Sequence, residues 1–370
     1  MAPQLPAKTR PVTHLDTMRV SGRPLQGYYH QSYVLRLPAN SALGCIGLDH
    51  VKVRSPRKGI AEFDRHVLTS EDNLLELLAQ HGVPRIPTVL GSREMSVLTY
   101  VRGHTLRLTR QRRPNRSVPR EHVRQILELV RSLNTVPLQD ISALIDPVVR
   151  QSWPKDGDSA GFLRGLIQFT ATRVRDAHHA DYGALYAALG VDPHVLDRLA
   201  EESDTLTPRP FSLLHGDLHD ENLVVDTDSR LWTIDWELAT PGDPVYELAT
   251  HLHLMRYPKA QEAEIVERWR TAVEDASPGA SAGLDEDLPR YLRYKRVQSV
   301  YTDLVRQGMA LESAPPPARP GRTAHAAEVV HDALRRARPG PLPVPAPTTI
   351  ASLYEQWLLG GELGSVRPAG

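Results

Sequence analysis

The segment that most constrains this chain runs from Phe211 to Glu237. An apolar run, Phe211-Ser-Leu-Leu214, enters the polar stretch His215-Gly-Asp-Leu-His-Asp-Glu-Asn222, and a second apolar run, Leu223-Val-Val225, leaves it. A third, Leu231-Trp-Thr-Ile234, ends in Asp235-Trp236-Glu237. Apolar runs this short, bounded by turn-forming residues, read as buried strands. Asp217, Asn222 and Asp235 are therefore delivered from neighbouring strand ends and one loop. Two carboxylates and an amide oxygen make a hard, oxygen-only set, which suits Mg2+ bound jointly to phosphates.

The chain around this segment divides into two kinds of pattern. Before it, residues 28–37, 45–53, 86–90 and 96–101 read as strands, with β-branched positions around Lys52. One helix interrupts them, with Val67, Leu68, Leu74, Leu75 and Leu78 at helical spacing and His81-Gly-Val-Pro84 as its stop. This predicts a small antiparallel sheet with one inserted helix. After Gly103 the period lengthens, and helices are predicted over 119–134, 160–188, 193–205, 244–255, 260–275 and 287–310. Residues 314–347 hold nine prolines and read as a linker with a short helix over 326–337, and 350–359 reads as a terminal helix able to dock back. The expected units are 1–102, 103–313, the linker 314–348 and a tail 349–370, with no internal repeat.

Composition narrows the function classes. The 370 residues are 41% hydrophobic and 24% charged, a globular balance. The lone Cys45 excludes intrachain disulfides and multi-cysteine metal sites. No run approaches the length of a membrane span, and residues 1–23 carry charges with no apolar core, so the chain reads as soluble and cytoplasmic. Basic and acidic residues balance at 44 each, which argues against a nucleic-acid or membrane partner. The balance hides segregation. Residues 1–110 hold 15 basic and 8 acidic side chains, whereas residues 151–312 hold 16 and 28.

Asp217 and Asn222 are five apart, the spacing of a kinase catalytic loop, in which an Asp orients the hydroxyl and an Asn binds metal. With His215-Gly-Asp217, Ile234-Asp235-Trp236-Glu237 and Gly242-Asp243-Pro244-Val-Tyr-Glu-Leu-Ala249, the chain resembles the aminoglycoside phosphotransferase and choline kinase superfamily. Leu98-Thr-Tyr100-Val101-Arg-Gly103 resembles its inter-lobe strand and hinge, and 119–138 the helix that follows, so the resemblance covers about residues 20–312. It implies an α+β, protein-kinase-like fold of two lobes: a small antiparallel β N-lobe and a larger, mainly helical C-lobe.

The resemblance also implies chemistry. ATP (or another NTP) and Mg2+ are the expected cofactors. Asp217 is the expected catalytic residue, with Asn222 and Asp235 on metal and His215 and Asp243 bracing the loops. Gly27, Lys52 and the hinge residues Thr99, Tyr100 and Val101 are expected at the nucleotide, with Glu71 holding Lys52 and Glu62 as its rival. The acidic C-lobe suggests a cationic acceptor met by Asp220, Glu221, Glu237 and Glu247, with the helical Asp176 and Asp181 further out. An aminoglycoside or other hydroxylated antibiotic leads, for resistance or self-protection. A nucleoside antibiotic, a macrolide, choline or a sugar are the alternatives. The sequence departs from the pattern in its single loop glycine, Gly27, and in Asn134, where many relatives have His. Trp236-Glu237 stands where protein kinases have Phe-Gly, which argues against protein phosphorylation.

Three readings compete. Gly157-Asp-Ser159-Ala-Gly161 fits the G-x-S-x-G of a serine hydrolase, but the residues before it are polar and proline-broken where that turn needs a buried strand; Ser159 is better read as a helix cap. His215, Asp217, His219 and Asp220 could form a hydrolytic metal cluster only if a helix brought both histidines to one face, and Gly216 argues against that. His251 and His253 diverge on their helix and read as structural. A catalytically dead, kinase-fold binding module is the third reading, and the presence of all three metal and base residues weighs against it.

Overall fold

Alternation of apolar and polar residues in the first hundred positions builds a five-stranded sheet in the chain, seen here as a computed structural model that describes residues 23–25, 30–57, 61–92, 95–113, 116–338, 340, 343–360 and 363. Its strands are β1 (Arg23–Leu25), β2 (His30–Arg36), β3 (His50–Pro56), β4 (Val89–Ser92) and β5 (Ser96–Thr99), in the antiparallel order β1-β2-β3-β5-β4. The period of two along β3 sends Val51 and Val53 to one face, where they bury with Leu35, Leu37, Leu43 and Val97. Lys52 and Arg54 take the other face, opposite Leu98 and Ser96.

Between β3 and β4 lies helix α1 (Glu71–Gln80). The Ser70 hydroxyl accepts from the Asn73 amide at its start, and Leu74, Leu75 and Leu78 are buried on its inner stripe. Glu71 and Asp72 occupy its first turn, where the helix dipole favours negative charge.

The remainder is mainly helical around three short strand pairings. In order come β6 (His104–Thr105), α2 (Leu106–Gln111), α3 (Arg120–Leu133), α4 (Leu138–Ser142), α5 (Pro147–Gln151), α6 (Ser159–Phe169), α7 (His179–Ala188) and α8 (Val195–Ser203). Strands β7 (Ser212–Leu214), β8 (Leu223–Val225), β9 (Leu231–Thr233) and β10 (Thr240–Gly242) follow, then α9 (Pro244–Met255), α10 (Lys259–Ala276), α11 (Leu284–Glu312), α12 (Arg319–Ala337) and α13 (Pro347–Leu358). Strand β7 pairs with β10, and β6-β8-β9 form a second small antiparallel sheet. The α+β expectation holds, with the sheet first and the helices after it. Among the described residues no helix is long and apolar enough to cross a membrane.

Two local readings need correction. The proline-rich stretch expected as a linker contains α12, 19 residues long, packed along α11. Pro315, Pro316 and Pro317 lie ahead of the helix and Pro320 lies in its first turn, where a missing N–H costs nothing. Ala326, Ala327, Val330, Ala333 and Leu334 then bury one face. The second correction concerns Ser159. Asp158, not Ser159, caps α6 by accepting from the Gly161 amide at 2.8 Å, and Ser159 is buried with no strand before it. A nucleophile elbow is therefore absent there.

Candidate functional site

The loop between β7 and β8 is tied down from several sides. Gly216 has φ +79°, and a Cβ there would collide with the Leu238 carbonyl, so the position requires glycine. The Gly216 amide donates to Glu247 of α9 at 2.9 Å. His215 is fully buried against the Trp236 ring, and burial pushes its pKa down to about 4. The neutral ring spans two elements: Nε2–H donates to the Ile234 carbonyl at 3.1 Å and Nδ1 accepts from the Asp217 amide at 3.3 Å. The loop carrying Asp217 is thereby locked to the strand end carrying Asp235.

Asp217 and Asn222 meet as their spacing suggests. The Asn222 side-chain amide donates to both the Asp217 carbonyl, at 2.9 Å, and the Asp217 carboxylate, at 3.0 Å. That fixes the Asn222 flip and leaves its Oδ1 as an acceptor. His219 Nε2 lies 3.4 Å from the same carboxylate, while its Nδ1 accepts from the Glu221 amide. Burial alone would raise the Asp217 carboxyl, but the His219 bond and the charges of His219 and Lys295 outweigh it and hold it below the ordinary range. The carboxylate is ionised at neutral pH, able to accept a hydrogen bond from a hydroxyl. Behind the loop, His251 donates from Nδ1 to the Leu218 carbonyl at 2.7 Å and accepts from Tyr257 at 2.8 Å, the structural part expected of it. Asp243 caps α9 and anchors a buried network with Arg209 and Tyr291.

Asp235 follows β9 with φ +69°, a conformation that costs a non-glycine residue about 1–3 kcal/mol unless neighbours over-determine it. They do. Ile234 is held by His215, and the Trp236 amide donates to Glu71 at 3.0 Å. Ligand atoms of Glu71, Asp235 and Glu237 lie within 4.8 Å of one another. Burial, then the negative charges of Glu237 and Glu71, push the Asp235 carboxyl up to about 7, while Lys52 pulls it back. Such crowding of hard oxygen donors fits a divalent cation such as Mg2+, whose charge would offset it. Glu237, expected at the acceptor, belongs to this cluster instead and takes His30 at 2.8 Å.

The expected Lys52–Glu71 ion pair is not formed. Arg54 takes Glu71, and also donates to Asp72 at 2.6 Å and to Ser96 at 3.2 Å. Arg54 lies two residues beyond Lys52 on the same strand face, and its fork reaches two carboxylates of the α1 first turn where an ammonium would reach one. Lys52 is left near enough to Asp235 for its charge to lower that carboxyl. Glu62 is exposed. Thr99 ends β5, its hydroxyl accepting from the Thr88 amide, and Tyr100 and Val101 follow in the connection to β6. Gly27 lies outside the described residues.

On the other side of Asp217 opens a cleft of about 450 Å3. Asp220 and Glu221 line it, but each is already paired: Arg110 donates to Asp220 at 2.6 Å and Arg107 pairs with Glu221. Glu247 is not an acceptor residue. It is buried under the loop, holding Gly216, with its carboxyl pushed up to about 7 by burial. Asp176 pairs with Arg175 and Asp181 receives Trp357 on its carbonyl, and neither lines the cleft. The far wall is a polar stripe of α11, including Lys295, Gln298, Thr302, Asp303 and Arg306, none of them among the residues expected at the acceptor. Its signal was there: polar residues recur every three or four positions between the buried Tyr294, Val297, Tyr301, Leu304 and Val305.

Residues 27–284 match the family described as "Phosphotransferase enzyme family". No curated protein sequence matches the chain. Among solved structures, the fold is similar to that of an ethanolamine kinase from Plasmodium vivax, at 13% identity and TM-score 0.57 over 90% of this chain and 84% of that one. It is similar as well to a choline/ethanolamine kinase family protein from Mesorhizobium loti, at 16% identity and TM-score 0.50 over 89% and 96%. An aminoglycoside phosphotransferase aligns at 15% identity and TM-score 0.46 over 87% and 94%.

Proposed function

The chain belongs to the phosphotransferase enzyme family, and from that premise we propose that it moves the γ-phosphoryl group of Mg-ATP to a hydroxyl of a small molecule held in the cleft beside Asp217. The observation that carries the reading is the convergence of an ionised Asp217, locked to Asn222, with a crowded carboxylate cluster centred on Asp235.

In this reading Asn222 and Asp235 hold the metal, with Glu71 and Glu237 beside it, and Lys52 faces the phosphates. Mg2+, when bound, supplies neutralisation of phosphate charge. Asp217 accepts the acceptor's hydroxyl hydrogen and lines its oxygen up for in-line attack. The transition state of phosphoryl transfer is loose, so positioning and electrostatics supply most of the rate and an Asp of low basicity suffices. His215 and Glu247 hold the loop and move no proton.

The acceptor class is a separate question. The acidic lobe favours a cationic aminoglycoside, with resistance or self-protection as the role, but the cleft supports this weakly because Arg107 and Arg110 already neutralise Glu221 and Asp220. A hydroxylated antibiotic of another class, or a metabolite, fits a cleft of this size equally well. The test is a Mg-ATP consumption screen across hydroxylated compounds, with mass spectrometry for a phosphate adduct. Adduct formation that requires Mg2+ and disappears in Asp217→Asn supports the reading, and an adduct retained in that variant overturns the role given to Asp217.

A further inference from the structure

We propose that the acceptor carries an anionic group, a carboxylate or a phosphate, and that the Lys295 ammonium on α11 binds it within the cleft beside Asp217. The inference rests on the phosphotransfer reading and narrows its substrate class.

Lys295 is only 7% exposed, yet it lines the cleft. A buried ammonium is costly unless a counter-charge or hydrogen bonds compensate it. Among the described residues no carboxylate lies within ion-pairing distance of it. Its one described partner is the Tyr246 ring, whose centroid is 5.5 Å from Nζ. A ring face attracts a cation but accepts none of its three N–H donors in the way an oxygen does.

The other cations of the cleft are differently placed: Arg116 is exposed, and the other arginines are paired. Arg107 pairs with Glu221, Arg110 with Asp220, Arg256 with Asp332 and Arg306 with Asp64. The nearby carboxylates make their hydrogen bonds elsewhere, although Glu247 Oε1 has no partner and Lys295 is close enough to lower the Glu247 carboxyl by its charge. Asp217 takes Asn222 and His219, and Glu247 takes the Gly216 amide. A lysine kept only to offset those two would be expected to sit against one of them. Lys295 instead lines the cleft without an ion pair among the described residues, near enough to Asp217 for its charge to lower that carboxyl. An anion seated there would place the rest of the acceptor across the Asp217 carboxylate. Asp303 lies two helical turns further along α11, about 12 Å from Lys295 by helix rise, too far to pair with it.

The test uses the full chain, with Lys295→Met, Lys295→Arg and Asp217→Asn. Gluconate and glycerol 3-phosphate serve as anionic probes, glucitol and glycerol as their neutral counterparts, and choline as the cationic one. ADP release and the thermal midpoint in the presence of Mg-ADP are read for each. At least one anionic probe should act at a concentration about tenfold or more below its neutral counterpart. Lys295→Met should erase that difference, costing the anionic probes about tenfold or more relative to their neutral counterparts, and Lys295→Arg, which keeps the charge, should retain part of it. Whichever anion leads identifies carboxylate or phosphate. The proposal is overturned if choline or a neutral probe does as well as the anions, or if Lys295→Met affects all probes alike. Mg-dependent ATP turnover that is lost in Asp217→Asn without any preference for anions would sink this proposal alone. Anion binding lost in Lys295→Met, with no Asp217-dependent turnover, would sink the phosphotransfer reading alone.

Discussion

The two sides of Asp217 are charged by opposite rules. Toward the five-stranded sheet, Glu71, Asp235 and Glu237 crowd together, and Asp235 answers by holding its proton up to about pH 7. Toward the cleft, Asp220 and Glu221 each have an arginine, and Lys295 is buried without an ion pair. One side gathers negative charge, whereas on the other the acids beside Asp217 are each paired with an arginine. The lesson is that a lobe's net charge does not give the charge of its pocket. Residues 151–312 hold twelve more acids than bases, yet the surplus is spent on the Asp235 cluster, on buried networks and on solvated faces.

The largest effect that could break this contrast lies at the shared residue. Asp217→Asn should lower kcat by roughly 10^2–10^4-fold with the KM for ATP little changed; steady-state kinetics in which KM moves and kcat does not would give the residue to binding instead. Next is Arg54→Ala, which strips the cation from buried Glu71 and Asp72. It should cost about 3–5 kcal/mol in denaturant unfolding, because a buried carboxylate without its partner is far worse than a neutral site. A loss under about 1 kcal/mol would show that the carboxylates find another partner.

Asp235→Asn should act in two directions at once. The metal-free protein becomes more stable, since a crowded carboxylate is gone, while the rise in melting temperature on adding Mg2+ shrinks. A variant that keeps the full Mg2+ response would move the cation site elsewhere in the cluster. Glu247 gives a pH test. Its folded pKa, about 7, lies above the ordinary carboxylate value, so it contributes stability that is complete below about pH 4 and lost as pH rises through about 7. Glu247→Gln, which can still accept from Gly216, should therefore gain on the parent between pH 5 and pH 8 in thermal melts; a pH-independent difference would contradict the shift. The smallest effect is expected on the cleft rim. Arg107 and Glu221 are each about half exposed, and Glu221→Gln should change stability by less than about 1 kcal/mol.

What could be read in the sequence was what is local. The meeting of Asp217 with Asn222 and the capping of α9 by Asp243 both depend on spacings of five residues or fewer, so strand and loop patterns were enough. The partners that set charge come from far away: Arg54 with Glu71, Arg110 with Asp220, and Gly216 with Glu247. Residue type alone cannot tell which of several acids a given arginine will reach. Arg54, a second cation on the strand face of Lys52, has the longer reach and takes Glu71 in its place. The proline count of 314–347 misled for a related reason, since prolines at a helix start favour what prolines within it forbid.

The family match ends at residue 284, whereas α11 and α12 supply a third of the residues lining the cleft. The loop carrying Asp217 and the helical wall proposed to meet the acceptor thus occupy separate stretches of the chain. Selection can redraw the wall, one helix face at a time, without touching the strands that aim Asp217. A change of diet needs no change of engine.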